Sequence, residues 1–169
     1  MKTLYLYIYN IIRRAFPETR LFKLKATLLR LCGAKVGKNV RINSSARFLG
    51  NGALEIGDDV WIGAEVLITA TSSANVSIGS CCDIGPQVTI ITGTHEVNAG
   101  EGHVAGAGKS LPVVIGNGCW LGARSLILPG VELAARTLVA AGAVVTRSVS
   151  ESNRLVAGNP AVVKKVIGG

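Results

Sequence analysis

The sequence is poor in aromatic residues, having three Phe, three Tyr and two Trp among 169 residues, which excludes a core built on aromatic packing. Its four cysteines form no CxxC pair and no disulfide framework, so we expect free thiols in a reducing compartment, with Cys82 and Cys119 buried in the core. The apolar stretch within residues 1–15 is interrupted by Asn10. It is too short to span a bilayer and lacks the small-residue cleavage site of a signal peptide. We therefore expect one cytoplasmic domain with an aliphatic core.

Acidic residues are almost missing from the start of the chain. Residues 1–41 hold ten Lys and Arg against one acid, Glu18, whereas residues 42–169 hold eight Lys and Arg against nine acids. These two parts contribute +9 and −1 to the net charge of +8. A nucleic-acid footprint needs a basic patch on the folded body, so we expect no nucleic-acid partner.

Aliphatic residues recur every six positions through most of the chain, a period that fits neither a helix nor an ordinary strand. The runs are Val36, Ile42 and Phe48; Ile56, Ile62 and Ile68; Ile78, Ile84 and Ile90; and Ile115, Leu121, Ile127, Leu133, Val139 and Val145. A hexapeptide period predicts a parallel β-helix, in which each unit makes one short strand and one turn and three units make one triangular coil. Glycine often follows the aliphatic residue, as at Gly57 and Gly63, and we expect it to supply turn conformations.

The repeat divides the chain into three parts: residues 1–33, residues 34–155 as the β-helix, and residues 156–169 as a C-terminal tail. Its register breaks near residues 50–52 and 72–75, and again at a long insertion, residues 93–112. An insertion of that length inside a compact repeat is usually either functional or disordered. Both histidines of the chain lie in it.

Residues 1–33 are predicted to form a basic amphipathic helical segment, because leucines fall at helical spacing in its second half. One interpretation is a helical cap over the first coil of the β-helix. The other is peripheral contact of residues 1–31 with the inner face of the cytoplasmic membrane, in which Tyr5, Tyr7 and Tyr9 touch lipid. The two interpretations are compatible, and the sequence does not choose between them.

The order of motifs resembles a known family. ITGTHE, the insertion, IGNGCWLGARSLILPGVELAARTLVAAGAVVTRSV and AGNPA together resemble the hexapeptide-repeat acyltransferases over about residues 34–165. The resemblance is to sugar and polysaccharide O-acetyltransferases, among them maltose and galactoside acetyltransferases. It implies an all-β solenoid that is a left-handed parallel β-helix. The handedness comes from the resemblance, since right-handed crossovers are the general rule.

The same resemblance implies a function. It predicts an acetyl-CoA-dependent O-acetyltransferase that acts on a sugar hydroxyl in surface polysaccharide or lipopolysaccharide biosynthesis. Transfer would be direct, with His95 as the general base that takes the acceptor proton. Family members are homotrimers with the CoA site between subunits, so we expect a homotrimer and a saccharide acceptor.

The resemblance also assigns residues to the acyl donor. Trp120 would line the acyl or pantetheine tunnel, with a plain surface aromatic as the alternative interpretation. Amides of Ala123 and Ala141 would contact the acetyl or pantetheine portion, Thr146 and Arg147 the adenosine phosphates, and Lys164 or Lys165 the 3′-phosphate. Val162 departs from the family, because many members carry Lys or Arg there. This would either shift phosphate binding to Lys164 or Lys165 or weaken it.

Three carboxylates are open as partners of His95, namely Glu65, Asp83 and Glu96. Glu65 stands where the galactoside enzyme has an Asn that contacts acceptor hydroxyls. It could bind the sugar hydroxyls, orient His95, pair with an amino group or simply be a solvated surface residue. The sequence does not choose among the three carboxylates.

The residues of this chain also bear on other functions. The γ-class carbonic anhydrases share this fold but hold zinc with three His. This chain has two His, so we expect no metal. N-acetylation of an amino sugar or a nucleotide-linked amino sugar is the alternative enzyme function. A non-enzymatic hexapeptide scaffold is the alternative outside enzymes.

Overall fold

The computed structural model describes residues 1–98, 100 and 102–168, and its strands follow the six-residue period. Two helices come first, α1 (Thr3–Ile12) and α2 (Phe22–Leu31), with a 3₁₀ turn at Arg13–Ala15 between them. The strands are β1 (Lys35–Val36), β2 (Arg41–Ile42), β3 (Arg47–Leu49), β4 (Leu54–Ile56), β5 (Trp61–Ile62), β6 (Leu67–Thr69), β7 (Val76–Ile78), β8 (Asp83–Ile84), β9 (Thr89–Ile91), β10 (Gly93–Val97), β11 (Ala105–Ser110), β12 (Val113–Ile115), β13 (Trp120–Leu121), β14 (Leu126–Ile127), β15 (Glu132–Leu133), β16 (Leu138–Val139), β17 (Val144–Val145), β18 (Arg154–Gly158) and β19 (Ala161–Val166).

Three sheets enclose the core. The first sheet contains β1, β4, β7, β12 and β15, the second β2, β5, β8, β13, β16, β18 and β19, and the third β3, β6, β9, β14 and β17. Successive strands go to successive sheets, so three strands complete one coil, and each strand pairs in parallel with its equivalent in the next coil. The predicted parallel solenoid is confirmed.

The turns between sheets form three corners that run along the solenoid. We name the turn after a strand of the first sheet the first corner, that after the second sheet the second corner, and that after the third sheet the third corner. In the second coil these are residues 57–59, 63–65 and 70–75. Because a coil has three sides, the third corner lies opposite the second sheet.

The inward aliphatic side chains stack from coil to coil, as the repeat predicts. Along the second sheet, Ile62 pairs with Ile84, Ile84 with Leu121, and Leu121 with Val139, and all four are 0% exposed. Burying one such side chain contributes about 1.5–3 kcal/mol. The core is therefore a continuous aliphatic column.

The glycines that follow the inward aliphatic residues have a steric role. We expected Gly57 and Gly63 to supply turn conformations, but the left-handed backbone of these corners lies two residues later, at Asp59 and Glu65, each with φ of 56°. A Cβ on Gly57 would lie 2.6 Å from the backbone nitrogen of Ser80 in the next coil. The expectation was wrong because close stacking of coils, rather than a special φ, excludes a side chain there.

Every break in the repeat falls at the third corner. Residues 50–53 and 70–75 are short loops there, and the insertion at residues 93–112 leaves the same corner one coil later. Within the insertion, β10 and β11 pair as an antiparallel hairpin. Residues 99 and 101, near the tip of the predicted insertion, lie outside the described residues.

The two N-terminal helices cover the open end of the first coil. Leu29 of α2 is fully buried, and the ring of Tyr9 in α1 packs on Phe48 with centroids 6.0 Å apart. Tyr9 is 3% exposed, so the expectation that it touches lipid is wrong, because its ring fills space beneath the first coil. Tyr5 and Tyr7 are exposed. In the part of the chain that the structure describes, neither helix nor any other has the length and apolar character to cross a membrane.

A buried lysine fixes α2 to the first coil. Lys25 is fully buried, and its Nζ donates to Ser44 Oγ at 3.0 Å and to the Glu18 carbonyl oxygen at 2.9 Å. Burial lowers the pKa of this ammonium group, because a charge loses hydration in the interior.

The last strands close the other end of the solenoid. Strand β18 pairs in parallel with β16, and β19 folds back antiparallel onto β18. The boundary that we drew before residue 156 therefore falls inside β18, and residues 156–166 belong to a hairpin. Cys82 and Cys119 are buried as expected, and Cys32 is buried too. Cys81 is exposed because it occupies a corner position.

Candidate active site

His95 lies on β10, in the hairpin that stands off the third corner. Its side chain is exposed within one chain, and its Nδ1 lies 3.0 Å from the carbonyl oxygen of Gly106. A carbonyl oxygen can only accept, so Nδ1 carries the proton in this contact and donates it. Nε2 then has a free lone pair directed away from the tether. This is the tautomer that a general base needs.

The base of the hairpin is anchored in the core. Thr92 is fully buried, and its Oγ1 accepts from the Thr71 backbone nitrogen at 3.0 Å and donates to the Thr69 carbonyl oxygen at 3.2 Å. The Leu111 amide donates to the Thr92 carbonyl oxygen at 2.9 Å, which closes the insertion at its root. His95 is three residues from this anchor, so its backbone position is well defined.

None of the three candidate carboxylates is the hydrogen-bond partner of His95 in this structure. Glu96 follows it on β10 and pairs with Lys109 of β11 at 2.8 Å. Glu65 lies at the second corner and accepts from Gln87 Nε2 at 2.6 Å. Asp83 lies on the outer face of the second sheet, beside Trp120 in the strand register. Glu65 and Asp83 are therefore separated from His95 within one chain.

Sequence reasoning missed the residue that orients His95. The partner is a backbone carbonyl, that of Gly106, and any residue type could supply it. To find this contact, the sequence would have had to predict that β10 pairs with β11. The sequence of β11, AGAGKS, has none of the β-branched or aromatic residues that indicate a strand.

Trp120 lies on the outer face of the second sheet. Its neighbour Leu121 points inward, and the Trp120 side chain is 55% exposed. It pairs in register with Asp83 in one neighbouring coil and with Leu138 in the other. A large exposed aromatic side chain on a sheet surface indicates a contact site for a ligand or another chain.

The second corner carries backbone amides without a hydrogen-bond partner at three coils. At the first corner, the equivalent amides of Lys38, Asp58 and Ser80 each donate to a side chain of the next coil, at 2.6 Å, 3.0 Å and 2.8 Å. Among the described residues, the amides of Asn117 and Ala135 at the same corner have no such acceptor. At the second corner the equivalent positions are occupied by Ala64, Pro86, Ala123 and Ala141, which have no such acceptor. Among the residues that the structure describes, the amides of Ala64, Ala123 and Ala141 therefore find no hydrogen-bond partner, and the last two belong to successive coils.

Those two amides are neighbours. The Gly142 amide donates to the Ala123 carbonyl oxygen at 2.9 Å, which sets the two coils side by side at this corner. A narrow strip with small side chains and free N–H groups can bind the carbonyl oxygens of an extended amide-containing chain, because unpaired donors seek acceptors.

The residues assigned to phosphates lie at the far end of the solenoid. Thr146 and Arg147 are exposed at the third corner of the fifth coil. Lys164 and Lys165 are exposed on β19 and line a groove of ≈ 430 Å³ that also includes Arg154. Val162 lies on the same strand and is exposed too, so the strand has the two lysines as its basic residues.

One chain does not bring all these residues together. His95 is held at the third corner, whereas Trp120 lies on the second sheet opposite and the free amides lie at the second corner. A site that includes all of them requires a second copy of the chain. Among the described residues there is no group of three or more His, Cys, Asp or Glu that could hold a metal ion.

Comparison with known proteins agrees with this architecture. The family model described as bacterial transferase hexapeptide (six repeats) matches residues 112–147. The chain is 36% identical over 149 residues to a putative colanic acid biosynthesis acetyltransferase, WcaF, of Escherichia coli, covering 88% of this chain and 78% of that protein. It is 29% identical over 143 residues to the galactoside O-acetyltransferase of Escherichia coli, covering 85% and 68% of the two chains.

A solved structure shares the fold. A hexapeptide-repeat acetyltransferase of Vibrio cholerae, complexed with acetyl-CoA, superimposes with a TM-score of 0.69 at 21% identity, covering 99% of this chain and 87% of that one. The coil, its third-corner hairpin and these matches define a hexapeptide transferase built on a left-handed β-helix. The chain belongs to the hexapeptide-repeat family of acyltransferases, as the sequence predicted.

Proposed function

We propose that this protein transfers the acetyl group of acetyl-CoA to a hydroxyl of a saccharide during the synthesis of a surface polysaccharide or lipopolysaccharide. The observation that carries the proposal is the tether from His95 Nδ1 to the Gly106 carbonyl oxygen. It leaves Nε2 as an exposed, oriented base on an anchored hairpin.

The chemistry follows from this arrangement. Nε2 takes the proton of the acceptor hydroxyl while the hydroxyl oxygen attacks the thioester carbon. The negative charge that develops on the carbonyl oxygen is stabilised by backbone N–H donors, for which the amides of Ala123 and Ala141 are our candidates. When the C–S bond breaks, the thiolate recovers the proton from Nε2 as free thiol, and the acetyl ester is released. No protein-bound intermediate forms.

The donor is placed by the same residues. The pantetheine arm lies along the second corner and against Trp120, and its phosphates lie toward Thr146, Arg147, Lys164 and Lys165 (each exposed). Arginine suits phosphate because its guanidinium binds two oxygens at once. Glu65, Asp83 and Glu96 are left as acceptor-side contacts rather than partners of His95.

The saccharide acceptor is inferred from the relatives. One is named for colanic acid biosynthesis and another for transfer to the oxygen of a galactoside. We infer a cytoplasmic reaction at the inner face of the membrane. The reason is that the N-terminal segment is basic and exposes large apolar side chains on its first helix.

The test is acetyl transfer to a panel of surface saccharides with labelled acetyl-CoA. His95→Ala should lower the rate by about 10²- to 10⁴-fold, the range for losing a general base. His103→Ala is the matched control, since His103 lies in the same insertion, and it should retain the rate. An alkali-labile ester is the expected product. An alkali-stable amide would establish N-transfer instead, and an unchanged rate in His95→Ala would refute the role of His95.

We also propose a homotrimer in which His95 of one subunit faces the second corner of the next. Subunit mixing tests it. His95→Ala and Ala141→Trp should each be inactive. The second variant loses activity because the indole ring fills the strip of free amides at the second corner, where acetyl-CoA would bind. When the two variants are mixed in equal amounts and refolded together, about a quarter of the wild-type rate should return. In a random mixture, about one subunit interface in four combines an intact His95 with an intact second corner. Inactive mixtures would contradict a shared site.

A further inference from the structure

Helix α1 exposes an apolar face to solvent. Its inward side chains, Leu6 and Tyr9, pack on the first coil and are buried. The outward side chains are large and apolar, and they are Leu4, Tyr5, Tyr7, Ile8, Ile11 and Ile12. Leu4 is 68% and Tyr7 64% exposed. A contiguous apolar patch of this kind marks an interaction surface.

A groove runs beside this face, between α1 and the first coil. Its volume is ≈ 420 Å³, and its walls are mainly apolar, formed by Leu6, Tyr7, Ile11, Phe48 and Leu49. Tyr7 and Ile11 belong to both the groove and the exposed face. The groove therefore opens directly onto the apolar face of the helix.

Three arginines gather at one end of the groove. Arg13, Arg14 and Arg47 line it and also line an adjoining cavity of ≈ 270 Å³ that includes Ser44 and Ser45. Arg13 is committed to the protein, since it donates to Asn10 Oδ1 at 3.1 Å and to the Ser44 carbonyl oxygen. Burial lowers the pKa of its guanidinium, and repulsion from Arg14 and Arg47 adds to that lowering.

The other two arginines are available to a ligand. Arg14 and Arg47 are exposed, and within the described residues no carboxylate lies in ion-pair distance of either. The nearest acid in the cavity wall, Glu18, is engaged with the Ser45 amide and hydroxyl at 3.0 Å and 3.1 Å. Three arginines and one carboxylate line the cavity, so it keeps a net positive charge. An excess of positive charge indicates an anionic ligand, and arginine pairs bind phosphate oxygens with good geometry.

We propose that this groove binds one phosphate-bearing membrane lipid, with its phosphate between Arg14 and Arg47 and its hydrocarbon along Tyr7, Ile11 and Leu49, so that α1 lies on an anionic bilayer. Apolar and cationic parts of the groove match the two parts of such a lipid. The exposed face of α1 enters the headgroup boundary as an in-plane amphipathic helix does. The proposal concerns docking and is independent of whether His95 is the base.

The test is sedimentation with vesicles of phosphatidylcholine plus phosphatidylglycerol, and with vesicles of phosphatidylcholine alone. The wild type should bind the anionic vesicles and not the neutral ones. Arg14→Gln/Arg47→Gln should lose about 30-fold in vesicle affinity, the expected effect of two basic residues at an anionic surface. Lys35→Gln/Lys38→Gln is the matched control, because it removes the same charge from another side of the first coil, and it should lose little.

Three results would overturn the proposal. Equal losses in the two charge pairs would show a diffuse effect of net charge rather than a site. Release of the protein by inorganic phosphate, with binding of that ion in the absence of vesicles, would show a soluble phosphate site. A changed molecular mass in Leu4→Ser/Ile8→Ser, measured by light scattering, would show that the face is a subunit contact. With the mass unchanged, that variant should lose vesicle binding.

Calorimetry with acetyl-CoA separates docking from catalysis. The Arg14→Gln/Arg47→Gln variant should bind acetyl-CoA as the wild type does. If both vesicle binding and acetyl-CoA binding are lost, the substitutions have disturbed the fold or the donor site, and the assignment of the arginines to a lipid is refuted. If vesicle binding alone is absent in the wild type, the docking proposal fails and the proposed transferase is untouched.

Discussion

Truncating one side chain in the middle of the aliphatic column should be unusually costly. Ile84 is 0% exposed, and strand pairing places it between Ile62 in one coil and Leu121 in the next. Both neighbours are fixed by their own backbone ladders, so the column cannot collapse into the space that Ile84→Ala leaves. We expect a loss of about 4 kcal/mol in the free energy of unfolding, in the upper half of the range for such truncations, and about 1 kcal/mol for Ile84→Val.

Urea unfolding followed by tryptophan fluorescence measures these losses at one fixed protein concentration, since association would shift the midpoint. With an m-value of about 2 kcal/mol/M, the midpoint should fall by about 2 M for Ile84→Ala and by about 0.5 M for Ile84→Val. Ile12→Ala is the control, because Ile12 is 43% exposed, and it should change stability by less than about 0.5 kcal/mol. Equal shifts for Ile84→Ala and Ile12→Ala would refute a packed column.

Three further predictions follow from single residues. Gly122→Ala should lower the melting temperature more than Gly102→Ala, because its Cβ would lie 2.5 Å from the backbone of the next coil, whereas nothing lies within 4 Å of a Cβ on Gly102. The reverse order would contradict the steric account. Burial lowers the pKa of Lys25, so the folded state binds fewer protons than the unfolded state. The free energy of unfolding of the wild type, relative to that of Lys25→Met, should therefore rise with pH toward 10.5, the ordinary lysine value. A difference that does not change with pH would contradict this prediction. A thiol reagent should label the native protein at Cys81 alone, since the other cysteines are buried, and mass spectrometry of Cys81→Ser should find no native label.

The coil could be predicted because one physical constraint repeats. Each inward position must hold an aliphatic side chain that stacks on its equivalent, so Ile62, Ile84 and Leu121 carry the fold in the sequence itself. The turn chemistry was harder. The left-handed position accepts Asp59, whose residue type is enriched in that backbone, but also Glu65, which is not typical of it. It does so because the strands on either side over-determine the turn.

The candidate site was predicted only in part. His95 and its insertion stand out because they interrupt a strict period. The orienting group does not, because a carbonyl such as that of Gly106 leaves no mark on residue type. The free amides of Ala123 and Ala141 are likewise invisible in the sequence, because whether an amide finds an acceptor depends on the folded backbone.

The most direct test of the account is a calorimetric titration of acetyl-CoA into the wild type, His95→Ala and Ala141→Trp. In the proposed mechanism, acetyl-CoA binds at the second corner, whereas the base lies on the hairpin. The mechanism predicts equal affinity in the wild type and His95→Ala, and loss of binding in Ala141→Trp. A wild type that does not bind acetyl-CoA, or an Ala141→Trp variant that binds it unchanged, would contradict the account.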